Sequence, residues 1–571
     1  MQVTWTPTAS VTDGQFLVAL APELIILIGV FLLILITNMG NARFRVPMTN
    51  LKLPWLLGGR RFKIASDPRI PAMFSSTILA IAFVMNIAWL TQSVSGSSGT
   101  VEAIYIVNPT ALEPYILSDA ILQIDVFARL FATLFTGALM IAAMASSDLI
   151  KPIANQRNPS LEVLYDNRRQ VDFHILMLTT AFGMSIVALA QDLFVLFIGL
   201  ELASMSSYVL VAFRKETQAG SEAGMKYFIV GSVASGVGLY GLSLLYLWGG
   251  SLQLYDLQAA WAAGTPSPLA LIALGLILVG FGFKVSAAPF HFAAPDAYAG
   301  AASPVAGVLA TASKGMGFIG LVRVLVIIAG PATGAAALWV PALAILSIVT
   351  MFWGNIAALG SDNPKRMLAY SSVAHAGYLM GALVAIGVNE DPATSNLILG
   401  AVIFHLVVLV TFKLGAFLVL GMIEKERSVS RLSTLGGLAR REPLLALPMF
   451  IFLLCLAGVP PLSGFLSKFL LITGMVDMAA DFGTSWADLH WIWWMALAIF
   501  INSALSVFYY LRVAVVMFFD EPEEGREGPL PDAFPTRMAV WACTIGAITL
   551  GIMGDSIFSV CTEAAERLFG P

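Results

Sequence analysis

Residues 280–296, GFGFKVSAAPFHFAAPD, place a lysine, a proline and a histidine within eight positions, directly after the apolar run 269–279. Proline removes a backbone N–H and its ring clashes with the preceding turn, so a helix that reaches this stretch is interrupted near Pro289. Lys284 and His291 flank the interruption, and both side chains can gain or lose a proton. The stretch therefore predicts a broken helix that carries titratable groups at the break.

The composition places this stretch in a membrane protein. Apolar residues make up 58% of the 571 and charged residues 12%, and the mean hydropathy is +0.84, far above that of soluble globular domains. The apolar runs are long enough to cross about 30 Å of hydrocarbon as helices, and they lack the alternation of barrel strands. We therefore expect an all-α, polytopic membrane protein.

Fourteen transmembrane spans are predicted, and two of them are interrupted. The seventh and twelfth spans would each be about 50 Å long as straight helices, against about 30 Å of hydrocarbon. The seventh contains SAAPFHFAAP and the twelfth AGVPPLSG, and Lys284 and Lys468 lie close to these two breaks. The predicted spans are 15–37, 72–92, 126–146, 174–190, 193–213, 223–248, 269–303, 304–328, 340–360, 367–388, 396–423, 444–477, 491–519 and 538–560.

The positions of the interrupted spans indicate an internal repeat. Spans four to eight and nine to thirteen form two five-helix units, each containing one interrupted helix, and the odd number of helices inverts the second unit in the membrane. Irregular backbone at membrane depth is tolerated where it lines a cavity or is buried in protein, so matching breaks indicate an ion or substrate path. The expected domains are an N-terminal three-helix region with long cytoplasmic loops (1–173), the two repeats as half-channels (174–328 and 340–519), and a C-terminal loop with the last span (520–571).

Lysine and arginine predict the orientation. Of 31 such residues, 22 fall in the loops of one side of the membrane and only Arg567 falls on the other. By the positive-inside rule the first side is cytoplasmic and both termini lie outside. No basic segment precedes the first apolar run, so no cleaved signal is expected.

Charged residues inside the spans are the candidate functional groups. A charge at the bilayer centre costs about 2.5–3.5 kcal/mol, so it usually faces a partner or water. Glu201 lies mid-span, and mid-span lysines cannot comfortably reach the headgroups. For Arg129, Arg323 and Arg512 we favour a structural ion pair or a side chain that reaches the interface. The basic residues within or at the edges of spans are Arg129, Lys226, Lys284, Lys314, Arg323, Lys413, Lys468 and Arg512.

The residue types at the first break permit proton transfer. A lysine in a low-dielectric site holds its proton less tightly, and a nearby carboxylate strengthens its hold. Movement of an acidic partner such as Glu201 relative to Lys284 would then load or eject a proton. For His291 two interpretations stay open, since it either titrates near neutral pH or pins the break as a hydrogen-bonded structural residue.

Five stretches together resemble the antiporter-like membrane subunits of respiratory complex I, the NADH-quinone oxidoreductases, and most closely the N type. The resemblance covers about residues 174–519, and the FK…PFH…PD.Y.GA..PV…LAT.SK block is its most specific part. The stretches are GLELASMSSYVL (199–210), EAGMKYFIVGSVAS (222–235), GFKVSAAPFHFAAPDAYAGAASPVAGVLATASK (282–314), NPKRMLAYSSVAHAGYLMGAL (363–383) and LAGVPPLSGFLSKF (456–469).

This resemblance implies roles for individual residues. Glu201 and Lys284 would form a coupled pair, Lys314 a relay, and Lys468 the site that exchanges protons with the outside or with a neighbouring subunit. The polar axis that joins them would consist of Lys226, His291 and His375.

Two further positions bear on the subunit type. Lysine at 468 differs from the glutamate usual in M-type subunits, and no long amphipathic helix is expected after residue 560, unlike the L type. Lys413 lies where N-type subunits more often have a neutral residue, while L-type subunits and sodium/proton antiporter relatives carry lysine. The electron donor stays open, since ferredoxin- and F420H2-linked relatives share this subunit.

No cofactor is expected in this chain. Cys455, Cys543 and Cys561 lie far apart with no CxxC, which removes the sequence case for an iron–sulfur cluster, a zinc site or a disulfide framework. The resemblance implies flavin, iron–sulfur clusters and quinone in partner subunits. The expected partners are other membrane-arm subunits and lipids, without nucleic acid, in a bacterial inner membrane or an equivalent energy-converting membrane.

The sequence leaves three functions open. The first is proton translocation as part of a quinone-reducing complex. The second is a subunit of a multi-subunit sodium/proton antiporter without a redox partner, and the third is a non-conducting scaffold that has kept the fold. The long basic loop 38–71 is interpreted as a topology determinant that contacts anionic lipid headgroups, with a subunit-docking surface as the alternative.

Overall fold

The chain folds almost entirely into helices. The computed structural model describes residues 15–38, 43–45, 52–54, 69–94, 104–107, 120–149, 159–263, 266–330, 339–389, 391–426, 429–480 and 490–568. The N-terminal region contains α1 (Gln15–Ala19), α2 (Ala21–Asn38), α3 (Arg69–Val94) and α4 (Val126–Leu149). The next set contains α5 (Pro159–Leu189), α6 (Leu193–Val211), α7 (Gln218–Gly249), α8 (Leu254–Ala262), α9 (Pro268–Val285), α10 (Ala293–Gly300), α11 (Ser303–Ala310) and α12 (Ala312–Leu321).

The second half of the chain is also helical. It contains α13 (Trp339–Gly360), α14 (Pro364–Val388), α15 (Pro392–Glu426), α16 (Leu438–Arg441), α17 (Pro443–Ala457), α18 (Ser463–Ala480), α19 (Ile492–Phe519), α20 (Phe534–Ile552) and α21 (Gly554–Leu568). Two antiparallel ribbons lie in loops, β1 (Arg43–Arg45) with β2 (Lys52–Pro54) and β3 (Ile104–Val107) with β4 (Ala120–Ile124). Most of the predicted basic loop 38–71 lies outside the described residues.

The helices agree with the predicted spans. Among the described residues, eleven helices are long and apolar enough to cross a membrane, or twelve if α20 and α21 count as one bent span. Two shorter apolar helices, Ala21–Leu35 and Pro443–Ala457, occupy the first span and the first half of the twelfth. The prediction of an all-α, polytopic membrane protein is therefore confirmed, although the last span bends by 84° before α21.

Both predicted breaks are present and end the preceding helix in the same way. The residue that follows α9, Ser286, and the residue that follows α17, Gly458, are both in the left-handed conformation, with φ of 63° and 85°. The N–H one residue further on donates back to the carbonyl five residues earlier, at 2.7 Å from Ala287 to Gly282 and at 3.1 Å from Val459 to Leu454. This Schellman arrangement satisfies the last carbonyls of each helix and turns the chain inside the protein.

Three helical segments form the centre of the chain. Residues Ser303–Ile328, α14 and α15 are almost wholly buried, whereas α3 and α7 are about one-third buried. Large apolar side chains such as Phe194 on α6 and Phe228 on α7 are exposed on the outer helices, as expected for contact with lipid. A charged group in the middle of one of these central segments is therefore shielded from both water and lipid.

Two of the arginines form the structural ion pairs that the sequence favoured. Arg129 is fully buried, and its guanidinium donates to Glu23 at 2.7 Å and to Asn86 at 2.8 Å. This pair joins α2, α3 and α4, so it holds the N-terminal helices together. Arg512 forms an exposed ion pair with Asp362 at 2.9 Å.

Candidate functional site

The first break holds Lys284 among hydroxyl groups and aromatic rings. Lys284 is in the last turn of α9 and is buried, and its ammonium donates to the hydroxyl of Ser204 and, at 3.0 Å, to that of Tyr208. The rings of Tyr208 and Phe283 lie 5.0 and 5.5 Å from the ammonium, within the range of cation–π attraction. The sequence did not point to Ser204 or Tyr208, which belong to the SMSSY stretch of α6.

Glu201 lies on α6 one turn before Ser204, and it is not in contact with Lys284. Within the described part of the chain, no ion pair of 4 Å or less joins the two residues, and the buried Glu201 Oε1 has no hydrogen-bond partner. The Lys284 ammonium instead donates hydrogen bonds to the hydroxyls of Ser204 and Tyr208, which lie further along α6. The pair suggested by the resemblance is therefore separated in this structure, and direct contact would require movement of a side chain.

The eighth span contains a break that the sequence did not predict. Helix α11 ends at Ala310, Thr311 has non-helical backbone angles, and α12 begins at Ala312. The Ala310 carbonyl accepts from the Ser372 hydroxyl at 3.2 Å. Three residues after Thr311, the buried Lys314 ammonium donates to the Ser372 carbonyl at 2.6 Å. The break and Lys314 together tie this span to α14.

A second irregularity follows in the same span. Residues Val322–Ile328 form a π-helix, a rare conformation that often marks functional sites. Buried Arg323 donates to the Ala188 carbonyl at 2.7 Å, while its Nε and Nη1 have no partner among the residues described. No proline marks either irregularity, so sequence patterns gave no signal for them.

Lys284 and Lys314 belong to neighbouring packed segments. Gly317, one turn after Lys314, faces the stem of Lys284 so closely that a Cβ there would lie 3.0 Å from the lysine Cβ. On the other side, the ring of Tyr208 packs at 5.1 Å against that of Tyr227 on α7. Lys284 is therefore bordered by α12 on one side and by two tyrosines of α6 and α7 on the other.

Two histidines, His375 on α14 and His405 on α15, extend the series of buried titratable groups beyond Lys314. His375 lies one turn after Ser372 on α14, and its Nδ1 hydrogen-bonds to Nε2 of His405 on α15 at 2.9 Å. The other ring nitrogen of His405 hydrogen-bonds to the Ser467 hydroxyl at 3.0 Å. His405 was missed at the sequence level, although a histidine in the middle of the eleventh span was a usable signal. It connects α14 to the residue next to Lys468.

Lys413 and Lys468 are the two remaining buried lysines among the candidate residues. The Lys468 ammonium donates to the carbonyls of Leu456 and Ala457 at 2.8 and 3.4 Å, which belong to the last turn of α17 before the second break. Lys413 is fully buried, and its ammonium has no hydrogen-bond partner in the described structure.

The two remaining candidates have other surroundings. Lys226 is half exposed and pairs with Asp296 at 2.7 Å and Glu222 at 2.5 Å, rather than with the buried line. Asp296 also pairs with Arg366. His291 is buried in the first break, and its Nδ1 has no partner among the residues that the structure describes.

Comparisons with known proteins show which family and which structures this chain is similar to. Residues 190–489 match the family described as NADH:quinone oxidoreductase/Mrp antiporter, TM. NADH-quinone oxidoreductase subunit N of Heliobacterium modesticaldum is 38% identical over 402 residues, covering 70% of this chain and 79% of the relative. F(420)H(2) dehydrogenase subunit N of Methanosarcina mazei is 33% identical over 466 residues, covering 80% and 86%. A chain of respiratory complex I from Thermus thermophilus has a TM-score of 0.66 and 28% identity, covering 94% of this chain and 98% of that one.

Proposed function

Because this chain belongs to the NADH:quinone oxidoreductase/Mrp antiporter family and is of the subunit N type, we propose that it translocates protons in the membrane arm of a respiratory NADH-quinone oxidoreductase. The observation that carries the proposal is the line of buried titratable side chains through both repeats. It consists of Lys284, Lys314, His375, His405, Lys413 and Lys468. The two half-channels would be residues 174–328 and 340–519.

Protons would move along this line between groups that lie next to one another. Lys314 reaches α14 one turn before His375, the two histidines are in direct contact, and Ser467 leads to Lys468. At an effective dielectric constant of about 20, two ammonium charges about 8 Å apart repel by roughly 2 kcal/mol. Protonation of one lysine therefore favours release of the proton from the next lysine. A charge change at Lys284 would in this way propagate along the line without large movements.

The loops rich in lysine and arginine are expected to face the cytoplasm, with both termini outside. We call the side of the membrane on which these loops lie the basic face. The apolar helices support an integral membrane protein, and we expect it in the bacterial inner membrane or an equivalent energy-converting membrane. Flavin, iron–sulfur clusters and quinone are expected in partner subunits of the assembly, which would supply the redox energy, and the neighbours in the membrane would be other membrane-arm subunits.

One observation keeps a second function in view. Lys413 is buried without a hydrogen-bond partner in the described structure, and the resemblance relates lysine at this position to the sodium/proton antiporter relatives. The alternative is a subunit of a multi-subunit sodium/proton antiporter. Isolation of the native assembly separates the two functions, because the favoured one requires a hydrophilic redox arm. A ferredoxin- or F420H2-linked assembly would differ in electron donor only.

The proposal predicts unequal effects for two charged residues of the first repeat. Glu201→Gln removes a carboxylate whose buried Oε1 has no hydrogen-bond partner among the described residues, and we expect proton uptake to fall about tenfold, the effect of roughly 1.4 kcal/mol on a barrier. Lys226→Ala removes a half-exposed ion pair, so the loss should stay below about fivefold. The measurement is proton uptake by membrane vesicles during quinone reduction, with assembly checked on a native gel. Wild-type uptake by an assembled Glu201→Gln complex would contradict the proposal.

A further inference from the structure

A cluster of charged residues lies at the basic face, apart from the candidate site. Glu424, at the end of α15, accepts hydrogen bonds from Lys365 at 3.0 Å, from Arg214 at 3.3 Å and from the Ser303 hydroxyl at 3.0 Å. The side chain of Lys365 is 1% exposed and that of Glu424 is 11% exposed. We call these four residues the Glu424 cluster. The slightly exposed carboxylate of Glu424 therefore contacts the fully buried ammonium of Lys365.

The Glu424 cluster lies at the ends of the helices that carry the candidate site. Ser303 begins α11, Lys365 is in the first turn of α14, and Glu424 is in the last turn of α15. At 1.5 Å per residue, each lies about 15–17 Å along its own segment from a member of the buried line. These members are Lys314, His375 and Lys413, respectively. The cluster therefore covers the basic-face end of the central helices, about half a bilayer from the buried line.

The interval between the two layers carries buried hydroxyl groups and the carbonyls of a helix break. Thr311, Ser371 and Ser372 are buried there, and the break at Thr311 exposes helix carbonyls to side-chain donors. The Leu309 carbonyl accepts from the Tyr298 hydroxyl at 3.0 Å, as the Ala310 carbonyl accepts from Ser372. Each carbonyl has a second lone pair and each hydroxyl can rotate, so a water molecule that enters this interval during turnover would find hydrogen-bond partners there.

We propose that Glu424 takes up protons at the basic face and passes them through this interval to the Lys314, His375 and Lys413 group. The carboxylate would accept a proton from water at the basic face and become a neutral carboxylic acid. It would then release that proton along water and hydroxyl groups to a neutral lysine of the buried line. The return to carboxylate restores its pairing with Lys365 and Arg214. This inference rests on the proposed function and adds the group through which protons enter.

The test uses the assembled complex in sealed vesicles, with proton uptake measured during quinone reduction. Glu424→Gln should lower uptake by at least about 100-fold, the lower end of what a positioned proton carrier contributes. Glu424→Asp keeps a carboxyl group and should retain most of the uptake. The matched control is Glu426→Gln, because Glu426 lies one half-turn away on the same helix and pairs with Arg441 at 2.7 Å instead. The control should pump as wild type.

A reference variant separates failure of this inference from failure of the proposed function. If Lys314→Met blocks uptake while an assembled Glu424→Gln complex pumps at the wild-type rate, Glu424 is not the uptake group and the proposed function stands. If both variants pump normally, the proposed function itself fails. Where Glu424→Gln does not assemble, the wild-type complex is treated with dicyclohexylcarbodiimide during turnover, since this reagent modifies protonated carboxyl groups. Modification at Glu424 and not at Glu426 is expected, and an unmodified Glu424 would overturn the inference.

Discussion

Complexes that carry Lys284→Arg should assemble and fail to pump protons. Arginine preserves the positive charge at the end of α9 and can donate to the hydroxyls of Ser204 and Tyr208, which now hold the lysine ammonium. The intrinsic pKa of arginine lies about 2–3 units above that of lysine, so proton release should slow by at least about 100-fold. The expected result is therefore a charged, folded and nearly inactive half-channel, measured as proton uptake in vesicles.

The control for this variant is the same change at a lysine outside the buried line. Lys226 is half exposed and held by Asp296 and Glu222, a role that a guanidinium can fill. Lys226→Arg should consequently leave proton uptake near the wild-type rate. An assembled Lys284→Arg complex that pumps as well as Lys226→Arg would show that release from Lys284 is not part of transport.

The second large effect is expected from His405→Gln. His405 is fully buried and hydrogen-bonds to both His375 and Ser467. Among the described residues it therefore connects α14 to the N-terminal part of α18, which follows the second break. Glutamine can form hydrogen bonds of similar reach but cannot take up a proton in this pH range. We expect uptake to fall by about 100-fold, at the low end of acid–base contributions.

Another buried histidine provides the control for His405. His174 on α5 is also fully buried, and its ring nitrogens contact Ser75 at 2.7 Å and Ser146 at 3.3 Å, away from the lysines. His174→Gln should lower stability at most and leave the pumping of assembled complexes intact. Equal pumping by the two variants would remove His405 from the path.

Much of the fold was predictable because the membrane imposes simple rules. Every predicted span corresponds to one or more helical segments, since an apolar run in lipid has few other structures available. Pro289 and the Pro460–Pro461 pair marked the two breaks. The break at Thr311 and the π-helix were not predictable, because they depend on tertiary partners such as Ser372 and carry no proline.

The candidate site was only partly predictable, for a related physical reason. A lysine in an apolar run is conspicuous, so Lys284, Lys314, Lys413 and Lys468 could be found from the sequence. Their contacts could not, and Lys284 proved to bind hydroxyl groups rather than Glu201. Lys226 was expected on the buried axis, yet it lies in a half-exposed ion pair.

The Glu424 cluster illustrates the same limit over a longer range. Arg214 and Glu424 are 210 residues apart in the sequence, and they come together only when the ends of α6 and α15 meet. From the sequence alone, each residue is interpreted as an ordinary charged side chain in a loop next to a span. Only the packing of the two repeats turns them into a cluster over the central helices.

The most direct measurement is the number of protons translocated per quinone reduced by assembled complexes that carry Lys314→Met. Lys314 is fully buried at the join between the repeats, and a methionine of similar length can fill its space without a charge. The account predicts a ratio below that of the wild type, because the line of titratable groups is cut at its centre. A wild-type ratio in fully assembled complexes would contradict proton transport through this chain.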